Sequence, residues 1–231
     1  MALRVIIDGK PCAGKTTISK VIEEKLSSQQ ITTLDAKSYA MEKGFLSGFL
    51  KKFSEGEIDS FRTVFHSAVR HALSYIALEQ STWANRNKYE VMIIQRSPYA
   101  FSFMMEAVKV ASGHGNYSYK PSGILYDVIE AWAKFVKPDL FIYLTADVET
   151  LRERFKNRPD GKDRIHKMMI EQDDSEHIKL LKRYMRGTNF VVVDNTSSIS
   201  SATEKIIPVI KETLNAKTKA RSYEGIATTN H

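Results

Sequence analysis

The fold this sequence predicts is a doubly wound α/β domain, a parallel sheet of about five strands with helices on both faces. Three observations predict it. Short continuous apolar runs rich in β-branched residues recur at Leu3–Ile7, Val91–Ile94, Leu140–Leu144 and Phe190–Val193, as expected of parallel strands covered on both sides. Stretches with helical spacing of apolar residues separate them. The first run closes on a glycine turn, Asp8-Gly9, that leads directly into a helical segment.

Taken in order, Leu3-Arg4-Val5-Ile6-Ile7 reads as a buried strand and Thr16–Leu26 as the helix after it. Ile31–Leu34 is a weaker second strand, and Tyr39–Phe53 is expected to be helical around a glycine break. A long helix from Glu57 to about Arg86 places Ile58, Phe61, Phe65, Ala68, Ala72 and Ile76 on one face, with Arg62, His66 and Arg70 at i, i+4 spacing on a neighbouring face. The strand Val91–Ile94 ends in Gln95-Arg96-Ser97-Pro98-Tyr99. A further helix, a turn-rich stretch at 112–123 and a helix at Ile124–Phe135 follow, before Pro138-Asp139 opens the strand Leu140–Leu144. Next comes a charged helix bearing Arg152, Arg154, Arg158 and Arg164, interrupted by Pro159-Asp160-Gly161. Phe190–Asp194 is the last strand and Ser200–Leu214 the last helix. From Lys217 to His231 the chain is polar and aperiodic, so a flexible tail at 217–231 is expected after a domain at 1–216.

With 231 residues, 42% hydrophobic and 26% charged, the chain resembles an ordinary globular protein, which argues against disorder and fibrous classes. Its net charge of +7 favours anionic partners, phosphorylated metabolites as much as nucleic acid. The positive residues form no long basic run and no stacking motif accompanies them, so nucleic acid is not the expected partner. The single cysteine, Cys12, excludes an internal disulfide. The first apolar run meets Asp8 too early for a signal segment or membrane span. A cytoplasmic protein is expected.

Gly9-Lys10-Pro11-Cys12-Ala13-Gly14-Lys15-Thr16, followed by Thr17, satisfies every fixed position of G-x-x-x-x-G-K-[ST] and lies between a buried strand and a helix. This is a P-loop. Glycines let successive backbone N–H groups turn toward phosphate oxygens, and the helix N-terminus adds partial positive charge. Lys15 is expected to bridge the β- and γ-phosphates of ATP, and Thr16 to hold Mg²⁺. A GTPase would need N-K-x-D after a strand, whereas Asn87-Lys88-Tyr89-Glu90 precedes one and ends in Glu.

These elements resemble the thymidylate kinase branch of the P-loop nucleoside and nucleotide kinases, from the first strand through Leu214. The likeness is carried by the P-loop, the strand ending in Arg96, Pro138–Leu144 followed by the Arg-rich helix and Asp163-Arg164-Ile165, and Val193-Asp194 before the last helix. The resemblance implies ATP and Mg²⁺, a strand-end arginine, Arg96, beside the transferred phosphoryl group, and a lid at about 154–166 bringing Arg154 and Arg158 over the triphosphate. It further implies Arg70 near the acceptor base with Phe65 or His66 against it, Tyr99 in the acceptor pocket, and, by analogy, a homodimer. Asp8 or Asp35 would orient the metal's water shell.

The pattern departs from thymidylate kinases at three places. Pro11 stands where they carry an acidic residue, Gln95 where they carry Asp, and Asp35-Ala36-Lys37-Ser38 where Arg-Glu-Pro-Gly is expected. Gln95-Arg96-Ser97 is similar to the Glu-Arg-Ser element of deoxynucleoside kinases, and Thr63-Val64-Phe65-His66-Ser67 to their base-binding helix. In those enzymes a carboxylate ending the second strand, here Asp35, deprotonates the 5′-hydroxyl. The expectation is therefore dTMP phosphorylation, with a nucleoside kinase as the alternative and an ATP-binding regulatory or nucleic-acid-associated protein as the reading from another class.

Overall fold

The computed structural model describes residues 1–37, 39, 78–80, 82–95, 137–158 and 164–227, with only the backbone of 164, 165, 176 and 221–227. Five strands form one sheet: β1 (Leu3–Gly9), β2 (Thr33–Asp35), β3 (Val91–Gln95), β4 (Leu140–Thr145) and β5 (Asn189–Asp194). Their spatial order is β2-β3-β1-β4-β5, and every pairing is parallel. Each strand grows from one of the apolar runs, with bounds shifted by a residue or two. All five residues of β3 are buried, as sandwiching between helical layers requires.

The described helices are α1 (Lys15–Ser27), α2 (Val148–Lys156), α3 (Arg164–Glu171), α4 (Ser175–Tyr184) and α5 (Ile199–Ala227). Ile18, Ile22 and Leu26 of α1 and Ala202, Ile206 and Ile210 of α5 share one core with Leu3, Val5, Ile7, Val91, Ile93, Leu140 and Ile142. Strand side chains alternate between faces, so Arg4, Ile6 and Asp8 point to the other side of the sheet. There Phe141 stacks on Phe190 with centroids 5.1 Å apart, and Tyr143 meets His177 of α4 at 5.9 Å.

The helix expected to stop at Leu214 continues to Ala227. Lys217, expected to begin the tail, donates to Asp139 and to the Ala2 carbonyl at 2.9 Å, which ties α5 to the amino-terminal edge of β1 and β4. Only residues 78–80 and 82–86 of the long helix expected at 57–86 are described, and all but Arg86, which lies in a turn, are helical. The expected helices at 39–53 and 124–135 lie outside the described residues but for Tyr39. No helix among the described residues is long and apolar enough to cross a membrane.

Strand order reverses direction around β1. In parallel α/β sheets ligands bind outside the strand carboxyl ends at such a point. The residues ending there are Gly9, Asp35, Gln95, Thr145 and Asp194.

Candidate active site

The loop from Gly9 to Gly14 leaves β1 at that edge. Gly9 has φ +142°, and a Cβ there would sit 2.3 Å from the Leu144 carbonyl oxygen, so only glycine lets the loop pass β4. Gly14 has φ +92°, and its missing Cβ is the space taken by the Asn195 side chain. Cys12 is held in the left-handed region at φ 65°. Such turns aim backbone N–H groups into a concavity suited to anions, and α1 begins directly after it. Lys15 Nζ donates to the carbonyls of Gly9 and Lys10, both at 2.6 Å, so its charge lies across the mouth of the loop.

Thr16 is exposed on the first turn of α1, and its hydroxyl donates to Gln95 Oε1 at 2.9 Å. Gln95 Nε2 in turn donates to Asp35 Oδ2 at 2.7 Å. Register explains the alignment. Gln95 pairs with Ile7 and Ile93 with Asp35, so the period of two sets Asp35, Ile93, Gln95 and Ile7 on the face covered by α1. Asp35 Oδ1 accepts the Lys37 N–H at 2.9 Å, and its own N–H donates to Glu23 of α1 at 3.4 Å. Burial pushes the Glu23 carboxyl up from its ordinary value, partly opposed by that N–H and reinforced by the Asp35 and Glu24 charges.

Asp8, expected beside the metal, is not brought to Thr16. It points to the opposite face, where its Oδ1 accepts the Gly9 N–H at 2.8 Å, and its charge acts on His177. Lys10, expected to offer the phosphates its backbone N–H, has a buried side chain that turns away to donate to the carbonyls of Ile170, at 3.4 Å, and Gln172 at the end of α3.

Of the two arginines expected in a lid, one touches the loop and the other a residue behind it. Arg158 Nη1 lies 3.8 Å from Cys12 Sγ at the loop apex. Arg154 Nη2 donates at 2.7 Å to the carbonyl of Asn195, the residue after β5. Asn195 is fully buried and its Nδ2 donates to the Ala13 carbonyl at 2.9 Å. Arg152, by contrast, braces the α2–α3 pair through Glu171, Nε to Oε1 at 2.8 Å. Asn195 was not singled out from the sequence; its one visible signal was its place after a strand on the carboxyl edge. Pro11 and Ala13 are buried within the loop and Thr17 is exposed on α1. Phe65, His66, Arg70, Arg96 and Tyr99, expected around the acceptor, lie outside the described residues, as does 159–163 of the lid.

The sequence model of deoxynucleoside kinases matches residues 5–215, nearly all of the chain. The chain belongs to the deoxynucleoside kinase family. No curated protein matches it. The family match covers the parallel sheet, the P-loop and the Asp35–Gln95 edge together, and makes this a kinase that uses ATP as phosphate donor. It supports the likeness seen at Gln95-Arg96-Ser97 over the thymidylate kinase reading, for which the match offers no support.

Proposed function

We propose that this deoxynucleoside kinase transfers the γ-phosphoryl group of ATP to the 5′-hydroxyl of a deoxynucleoside, with Asp35 as general base. The observation that carries this reading is the placement of Asp35: a buried carboxylate at the end of β2, joined through Gln95 to Thr16 of the P-loop. A hydroxyl acceptor needs such a group, since it must lose a proton as it attacks. A monophosphate acceptor is already ionised and needs none.

In the proposed step the 5′-oxygen forms a bond to the γ-phosphorus as the bond to the bridging oxygen of ADP breaks. The hydroxyl proton passes to Asp35 and from there to water. The loop N–H groups and Lys15 hold the phosphates in line, and Arg158 at the loop apex, with Arg154 behind it and Arg96, which follows Gln95 in the sequence, supplies positive charge as negative charge moves onto the leaving oxygens. Phe65, His66, Arg70 and Tyr99 are assigned to the nucleoside. Thr16 fits a magnesium role: its hydroxyl proton is committed to Gln95, which leaves the oxygen able to offer a lone pair to a cation. Mg²⁺, when bound, neutralises charge shared by the β- and γ-phosphoryl oxygens.

The test compares wild type and Asp35→Asn with thymidine and with dTMP as acceptors. Thymidine turnover is expected to fall roughly 10²- to 10⁴-fold in the variant, the range for loss of a general base. Turnover of dTMP but not of thymidine or any other nucleoside, or an Asp35→Asn enzyme as fast as wild type, refutes the reading.

A further inference from the structure

We propose that Gln95 is a positioning residue, which orients the Asp35 carboxylate against the P-loop; this rests on Asp35 acting as the base for the nucleoside hydroxyl. Gln95 is 4% exposed at the end of β3, the strand between β1 and β2. Its amide has one accepting and one donating end, and both are engaged, Oε1 by the Thr16 hydroxyl at 2.9 Å and Nε2 by Asp35 Oδ2 at 2.7 Å.

The direction of this chain is fixed by chemistry. Both Asp35 oxygens accept here, from the Lys37 N–H and from Gln95, so the NH₂ end faces Asp35. The carbonyl end then faces Thr16, and the hydroxyl must donate to it. A carboxylate at position 95 would set acceptor against acceptor on the Asp35 side. Glutamine is thus suited to join a hydroxyl donor to an ionised carboxylate, and its presence here is more than the loss of a charge.

The second constraint on Asp35 comes from the backbone. Lys37 N–H holds Oδ1 at 2.9 Å while Gln95 holds Oδ2. Two donors on two different oxygens stop rotation about the bond carrying the carboxylate and so fix its plane. A base held in one orientation removes a proton faster than one that must find it, because the ordering is done before the substrate reacts. Asp35 and Thr16 sit on different elements, so the amide also keeps the base in register with the loop that holds the donor phosphates.

The experiment is a double-mutant cycle on the full chain using Gln95→Met, which keeps length and lacks both hydrogen bonds, and Asp35→Asn, which keeps shape and lacks the base. Gln95→Met alone is expected to lower kcat with thymidine by about 10-fold or more, with KM for thymidine and ATP changed by less than about 3-fold. Calorimetry of thymidine binding to the free enzyme should be unchanged, showing an intact pocket. In the Asp35→Asn background Gln95→Met should cost no more than about 2-fold further, because no base is left to position. Equal losses in the two backgrounds overturn the inference, since Gln95 would then act through the loop or the fold. An Asp35→Asn enzyme as fast as wild type instead refutes Asp35 as base, whatever Gln95 does. Gln95→Asn, whose amide is one methylene short of both partners, runs the same cycle if the Met variant fails to fold.

Discussion

Replacing Asn195 tests how the P-loop is kept in shape. This side chain donates from Nδ2 to the Ala13 carbonyl at 2.9 Å, its backbone N–H pairs with Thr145 at 2.8 Å, and its carbonyl accepts from Arg154. Asn195→Ala leaves both backbone bonds possible and deletes the side-chain donor. The Ala13 carbonyl then stays buried without that partner, a penalty of about 1–3 kcal/mol. Part is recovered, because Asn195 Oδ1 is itself a buried acceptor with no partner among the described residues, and the substitution removes it. A net loss of about 1–2 kcal/mol is expected, which for a domain of this size lowers Tm by roughly 2–8 °C. Asn195→Asp should be worse than Ala, since it sets an acceptor against the Ala13 carbonyl and buries a charge. Differential scanning calorimetry reads both, and ATP affinity should weaken in parallel because the loop loses its brace. A Tm for Asn195→Ala within about 1 °C of wild type, with ATP affinity unchanged, refutes the reasoning.

Two further perturbations act on stability alone. Burial holds His177 below its ordinary value, outweighing the opposite pull of Asp8 and Asp174; the unfolded chain therefore takes the proton first as pH falls through about 6.5. The stability present above that pH is lost toward lower pH, with a slope of up to about 1.4 kcal/mol per unit, and His177→Phe, which keeps a ring against Tyr143, should flatten Tm against pH between these limits. Lys217→Ala removes the link from α5 to Asp139 and the Ala2 carbonyl and should cost roughly 1 kcal/mol, about 2–4 °C in Tm. A wild-type Tm for that variant would show that the contact adds nothing to the fold.

The sheet was legible because its signal is local. Runs such as Val91-Met92-Ile93-Ile94 are buried on both faces and carry their strand character in the residues themselves, and the P-loop announces itself by fixed spacing. The end of α5 was not legible for the opposite reason. Beyond Leu214 no apolar stripe continues, and what holds Lys217 is Asp139, 78 residues away. A polar helix anchored by such a contact has the composition of a tail. Asp8 stands beside the P-loop in the sequence, but the alternation of β1 sends its side chain to the face away from Thr16.

Gln95 shows why the site needs more than its residue types. In the sequence it registers as a missing carboxylate, a departure that removes charge from the metal's side of the loop. Strand pairing changes its meaning, because Ile7↔Gln95 and Asp35↔Ile93 bring β1, β3 and β2 into line on the α1 face. A single amide then spans from the loop's threonine to the carboxylate of β2. In the proposed reaction the Asp35 carboxylate serves the acceptor hydroxyl, which must lose its proton, while Lys15 and the helix N-terminus serve the phosphates. That division of charge suits a neutral nucleoside as acceptor. A monophosphate would bring its own negative charge toward Asp35 and would require the arginines of the site to overcome it.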